Sequence, residues 1–175
     1  MQKHTRENNH KRIKRIALCG ILLGLAVMLS SIESVMFGSM PGGIRIGLAN
    51  IAVMTAIIFT DIPSALEITA LKSLFVLSAR GVTAGILSIS GGLPAFAVSA
   101  YMIKKTDRSY LLISVLSSVV HIAGQITALY FIMDTTAVFG YLPFSGTASV
   151  ISGIVTGILL KTALPAVRKA VEKYG

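Results

Sequence analysis

Tyr110-Leu-Leu-Ile-Ser114-Val-Leu-Ser-Ser118-Val-Val-His121-Ile-Ala-Gly-Gln125-Ile-Thr-Ala-Leu-Tyr-Phe-Ile-Met133 is the stretch that decides the fold. It contains no Asp, Glu, Lys or Arg, and it exceeds the roughly 20 apolar residues that a helix needs to cross a hydrocarbon core of about 30 Å. Within it Ser114, Ser118, His121 and Gln125 follow at steps of four, three and four, which is one stripe of a helix. Such a stripe must face protein or water, because lipid offers polar groups no partner. The segment predicts a membrane crossing with one polar, inward face.

Working outward, five more apolar runs read the same way: Ile16 to Ile32, Ile44 to Thr60, Ile62 to Ala79, Gly81 to Ile103 and Gly146 to Leu164. Hydrophobic residues make up 54% of the 175 residues, charged residues 13%, and the mean hydropathy is +0.79. The expected fold is an all-α polytopic membrane protein, six transmembrane helices in one bundle. Residues 1–15 form a basic N-terminal segment, 16–165 the transmembrane domain and 166–175 a C-terminal tail. Nearly every residue is committed to the bilayer, so a step that needs ATP belongs to another chain.

A net charge of +9 in a soluble protein would suggest nucleic acid. Here the charge follows topology instead. Lys3, Arg6, Lys11, Arg12, Lys14 and Arg15 precede the first crossing, Lys104, Lys105 and Arg108 separate the fourth and fifth, and Lys161, Arg168, Lys169 and Lys173 end the chain. With both termini cytoplasmic, 13 of the 16 Lys and Arg lie on that side and the opposite face has only Arg45 and Arg80. This is the orientation expected in a bacterial cytoplasmic membrane. The basic start and first apolar run have no small-residue cleavage site after them, and five more spans follow, so they form a crossing and not a leader. Cys19, the single cysteine, reads as a packing residue.

Gly20 and Gly24 share a face of the first crossing and permit close approach of another helix, within this chain or from another membrane subunit. Gly153 and Gly157 repeat the device in the sixth. Pro41-Gly42-Gly43 stops any helix between crossings one and two and marks an outer loop or lid. The loop Asp134 to Ser145, with Tyr141-Leu-Pro143-Phe144, forms a second flap or an interfacial anchor on the same side. Ser88-Ile-Ser90-Gly91-Gly92-Leu-Pro94 predicts a broken or kinked helix in crossing four, either a substrate site or a packing kink.

Charges inside a bilayer cost about 2.5 to 3.5 kcal/mol each on insertion scales, so they face the bundle interior and mark a pathway or site. Lys72 lies near the middle of crossing three. Arg80 stands at the outer end of that helix and Arg45 at the start of crossing two, so three cations are expected to converge on an outward cavity that suits an anionic small molecule. Glu33 pairs with one of them, as part of the site or as a structural ion pair. Asn50 in Gly47-Leu-Ala-Asn50 adds a donor and an acceptor, and His121 with Gln125 completes the polar face. Glu67 points to a different face from Lys72. Asp61, Asp107 and Asp134 are isolated, so no Asp-rich cluster exists to hold Mg²⁺ against a diphosphate, and no metal-ligand spacing or nucleophile motif appears. The chain reads as a non-enzyme with no required cofactor.

Ser31-Ile-Glu33-Ser34, Pro41-Gly-Gly-Ile-Arg45-Ile-Gly47-Leu48-Ala49-Asn50, Ser90-Gly91-Gly92, His121-x-x-Gly124-Gln125, Tyr141-Leu-Pro143 and Gly153-x-x-Thr156-Gly157 together resemble the Gx transporter family, also labelled heptaprenyl diphosphate synthase component I. Its members are similar in size and six-helix layout to the substrate-binding S components of energy-coupling-factor vitamin transporters. The resemblance implies small-molecule transport and, in part of the family, flavin supply to extracytosolic flavoproteins. A flavin such as FAD, FMN or riboflavin fits a cavity with cations and apolar walls, and the His121/Gln125 face with Ser90, Gly91 and Gly92 suits a flat ring. A prenyl diphosphate fits the same cations and walls, with this chain as a non-catalytic subunit beside a synthase. A scaffold for a membrane electron-transfer complex is the third class.

Overall fold

The computed structural model describes residues 2–37 and 47–174. The described chain is helical: α1 (Gln2–Phe37), α2 (Asn50–Phe59), α3 (Ile62–Arg80), α4 (Val82–Lys105), α5 (Tyr110–Met133), a 3-10 turn (Thr136–Tyr141) and α6 (Leu142–Tyr174). Five of these segments are long and apolar enough to cross a membrane: Arg12–Met36, α3, α4, α5 and Thr136–Val171. Their outward faces carry Ile21, Met28, Val35, Leu74, Ile89, Phe131 and Ile158, the side-chain chemistry that a lipid tail accepts.

Local signals set the boundaries. Pro63 sits in the first turn of α3, where a missing N–H costs nothing. Gly81, at φ +86, separates α3 from α4 with its N–H on the Leu77 carbonyl at 3.0 Å. The Ser109 hydroxyl accepts from the Leu112 N–H and caps α5. Asp134, at φ +46, ends α5 in the left-handed conformation. The expected N-terminal segment and C-terminal tail continue as helix from α1 and α6.

The second expected crossing is shorter than its apolar run. Ile44 to Ile46 lie outside the described residues, Gly47 has φ +95, and helix begins only at Asn50. Ten residues reach about 15 Å, half of the hydrocarbon thickness. All residues from Asn50 to Ile57 are buried, so α2 is a half-helix enclosed by the others and apolar apart from Asn50 and Thr55. Leu22, Ala26, Ala52, Ala56, Ile57, Ala65, Ile68 and Phe96 form the core around it, with alanines letting the backbones approach. Cys19 packs against this cluster.

Crossing four is likewise not broken. α4 runs unbroken through Gly91, Gly92 and Pro94. Proline has no N–H for the carbonyl four residues earlier, so it frees the Ser90 oxygen. Gly124 of α5 is pressed directly onto that oxygen, so the sequence signal marks a close helix contact and not an interruption. Gly153 and Gly157 do the same between α6 and α5: a Cβ on either would lie 2.6 Å from Val115 Cα or 2.7 Å from Leu111 Cα. Hydroxyl pairs tie further seams, Ser73 with Ser88 at 3.1 Å and Ser99 with Ser117 at 2.9 Å.

Arg15 pairs with Asp61 and donates to the Ser64 hydroxyl at 2.7 Å, fixing the start of the α1 span beside the α2–α3 connection. Arg80 donates to the Ser34 hydroxyl at the opposite end of the bundle. With each element reversing direction, the two termini come to the same end.

Candidate ligand site at the start of the half-helix

The start of α2 is placed inside the bundle by two features on other helices. The Gly47 N–H donates to the Glu33 carboxylate of α1. His121 of α5 lies against the same residue: a Cβ on Gly47 would meet the Asn50 amide nitrogen at 3.2 Å and the His121 ring at 3.4 Å. Only glycine adopts φ +95 without strain and leaves that room.

On the far side of the imidazole stands α4. A Cβ on Gly91 would lie 2.7 Å from the His121 carbonyl oxygen, 2.9 Å from Gln125 Cγ and 3.0 Å from His121 Cε1. The ring is therefore held between Gly47 and Gly91. A Cβ on the neighbouring Gly92 would lie 4.0 Å from the Lys72 ammonium nitrogen and 3.9 Å from the Ser73 hydroxyl, so α3 delivers its one buried cation at the adjacent position of α4.

Glu33 is 2% exposed, Asn50 5%, Lys72 3%, His121 3% and Gln125 0%. His121 Nε2 and Gln125 Nε2 are 2.7 Å apart. One hydrogen bond therefore joins the ring to the Gln125 amide. Glu33, Lys72, His121 and Gln125 are all engaged by partners within the fold. The Asn50 amide nitrogen is buried with no hydrogen-bond partner among the described protein atoms. An unsatisfied buried donor costs about 1 to 3 kcal/mol.

The structure thus gathers Glu33, Asn50, Lys72, Gly91, Gly92, His121 and Gln125, contributed by five helices. The Ser90 side chain bonds to the Ile86 carbonyl of its own helix at 2.8 Å, while its carbonyl is the part that faces α5. Arg80 is exposed and lies apart, lining a cleft of about 240 Å³ between α1 and α3 with Ser30, Ser34 and Phe75. Tyr141 is 38% exposed on the 3-10 turn, whose Val138 joins a cluster with Leu87, Ile122 and Leu129 in the outer halves of α4 and α5. Arg45 and the Pro41-Gly42-Gly43 loop lie outside the described residues. Of the two expected cations among the described residues, Lys72 is placed among the clustered groups and Arg80 is not, and the Glu33 carboxylate accepts from a backbone N–H. Glu67 is exposed, away from this face.

Two features were not singled out from sequence. Gly47 sets the start of α2, and its need appears only once Glu33 and His121 are both beside it. The second is a stripe on α6, Ser145, Ser149, Ser152 and Thr156, all buried, whose steps of four, three and four repeat those on α5.

The heptaprenyl diphosphate synthase component I family model matches residues 22–163, which include every element that builds this cluster. No curated protein and no solved structure matches the chain.

Proposed function

The chain belongs to the heptaprenyl diphosphate synthase component I family, and from that premise we propose that it is a substrate-binding membrane subunit of a bacterial cytoplasmic-membrane transporter whose ligand is a flavin. The observation that carries this reading is the set of five buried polar side chains around the start of the half-helix, with the Asn50 amide nitrogen without a partner among the described atoms. Half-helices that begin near mid-membrane are a recurrent way for transporters to present backbone donors to a substrate. Amide and imidazole groups match the alternating donors and acceptors of an isoalloxazine edge. Lys72 and Glu33 carry opposite formal charges, so the described cluster is suited to a hydrogen-bonding ring more than to a bare diphosphate. The phosphates of FMN or FAD then point outward from it. The chain itself performs no chemical step in this reading.

A second reading follows from the family description: a non-catalytic component that assists prenyl diphosphate synthesis. An isoprenoid tail has no use for Asn50, His121 and Gln125 on one face, which ranks it below the flavin. In either case the word component implies another subunit, and the α1 face with Gly20 and Gly24 is proposed to receive it. A Cβ on either glycine meets nothing within 4 Å among the described residues, so their small size serves no contact there. Native mass spectrometry of the gently purified protein tests the assignment. A retained mass of FMN, FAD or riboflavin is expected, and a retained prenyl diphosphate with no flavin overturns it.

A further inference from the structure

The cleft of about 240 Å³ between α1 and α3 lies at the end of the bundle opposite the termini. Its outer end carries Arg80, in the last turn of α3, which donates to the Ser34 hydroxyl. Ser31 and Ser34 give their own protons to the Val27 and Ser30 carbonyls, at 2.9 and 2.8 Å. Donors for an occupant therefore come from the guanidinium, and Ser34 takes one of its five N–H groups. No carboxylate among the described residues pairs with Arg80, and the sequence has no Asp or Glu between Glu33 and Asp61. Glu33 itself is buried and accepts from the Gly47 N–H. The cleft asks for an anion.

Its polarity changes in one direction with depth. The Arg15–Ser64 and Arg80–Ser34 hydrogen bonds show that α1 and α3 run parallel, with Ser34 level with Arg80. Val76 is one turn further in, and Phe75, five residues from Arg80, lies about 7.5 Å deeper along the helix axis. Phe75 is 40% exposed, so its ring borders the lipid. A cation at headgroup level above an aromatic and an aliphatic wall repeats the order of a phospholipid, phosphate above acyl chain. Pockets that enclose a whole small molecule run from about 300 to 1,000 Å³, so this smaller recess fits a headgroup and the upper part of one chain. A snorkelling arginine meets headgroups anywhere on a surface; the recess beneath Arg80 is what would fix one lipid.

We propose that the α1–α3 cleft is a binding site for an anionic phospholipid, with the phosphate on Arg80 and an acyl chain against Val76 and Phe75. Charge-assisted hydrogen bonds from a guanidinium to phosphate supply the selectivity over zwitterionic lipid. Such a site stands whether or not the His121 cluster holds a flavin. FMN carries a phosphate of the same chemistry, so the experiment separates the two sources.

The chain has no tryptophan, so Phe75→Trp places a single reporter in the cleft. Phe131→Trp is the reference, at an exposed position of α5 at the same end of the bundle. The full chain in phosphatidylcholine bilayers is titrated with brominated phosphatidylglycerol or brominated phosphatidylcholine, each of which quenches tryptophan on contact. At position 75 phosphatidylglycerol is expected to bind about fivefold more strongly than phosphatidylcholine, the worth of one arginine beside an anionic lipid. Arg80→Gln is expected to bring that ratio down to the value at position 131, and Arg80→Lys to keep most of it. Equal ratios at positions 75 and 131, or a preference that survives Arg80→Gln, overturn the proposal. FMN and riboflavin are titrated into the same samples. Equal lipid ratios, with Arg80→Gln weakening FMN and not riboflavin, give the cleft to the phosphate of FMN and overturn the lipid site. Lipid preference without binding of either flavin removes the flavin assignment alone.

Discussion

Lys72 shows what a single residue's sequence context can reveal. An ammonium near the middle of an otherwise apolar helix must face inward, and the structure buries it next to Gly92. Asn50, His121 and Gln125 were legible for the same reason, since depth alone makes a polar residue costly to expose to lipid. Arg80 was not, because its place depends on Ser34 of another helix, at the other side of a cleft. Lys72→Met keeps length and apolarity while deleting the charge. Binding of FMN is expected to weaken by about tenfold to a hundredfold, the loss of one charge-assisted hydrogen bond, in a protein that still folds. Isothermal titration reads that change, and unaltered affinity removes Lys72 from the site. Asp61 gives a prediction outside the spans. Desolvation pushes its carboxyl up, but hydrogen bonds from Ser64 and the backbone and the Arg15 charge outweigh that and hold it below its ordinary value. A carboxylate lowered by folding stabilises the fold above its unfolded value, and that contribution is lost as pH falls through the lowered one. Asp61→Asn is expected to lower the unfolding temperature at neutral pH, with the gap closing as pH falls below the ordinary carboxylate value.

At the scale of elements, the glycines decide which helices touch, and they separate into two groups. Gly124, Gly153 and Gly157 have backbone atoms where a Cβ would stand, whereas Gly20 and Gly24 have open space. Gly124→Ala is expected to lower stability by about 1 to 3 kcal/mol, as overpacking does. Gly20→Ala and Gly24→Ala are expected to change it by less than about 0.5 kcal/mol. Thermal unfolding in detergent measures both, and a destabilising Gly24→Ala would place a helix of this chain on that face. Sequence spacing alone could not separate the groups, since Gly-x-x-x-Gly reads the same in crossings one and six. Two element boundaries were hidden for related reasons. The run Ile44 to Thr60 is apolar enough to cross, and only the Glu33 carboxylate on Gly47 shows why helix starts at Asn50. Ser90 to Pro94 looked like a break because the partner of the freed carbonyl, Gly124, lies on a different helix.

The whole molecule was the most legible scale, because hydropathy and the distribution of Lys and Arg report on the bilayer and not on any one contact. Five spanning segments and a buried half-helix bring the chain ends to one end of the bundle. Cysteines introduced at Asp107 and Asp134, both exposed at opposite ends, test the orientation in a Cys19→Ser background. Impermeant reagent added to intact cells is expected to modify position 134 and to reach 107 only after lysis; the reverse pattern inverts the protein in the membrane. The proposed flavin site, with Asn50, Lys72, His121 and Gln125 at the start of the half-helix, concerns what the bundle encloses. Titrating FMN into the purified protein while following flavin fluorescence tests it most directly. Saturable quenching is expected with the native chain, lost in His121→Ala and in Gln125→Ala when both variants keep the native helical content. Saturable binding of farnesyl or heptaprenyl diphosphate with no response to any flavin, or quenching unchanged in both variants, would contradict it.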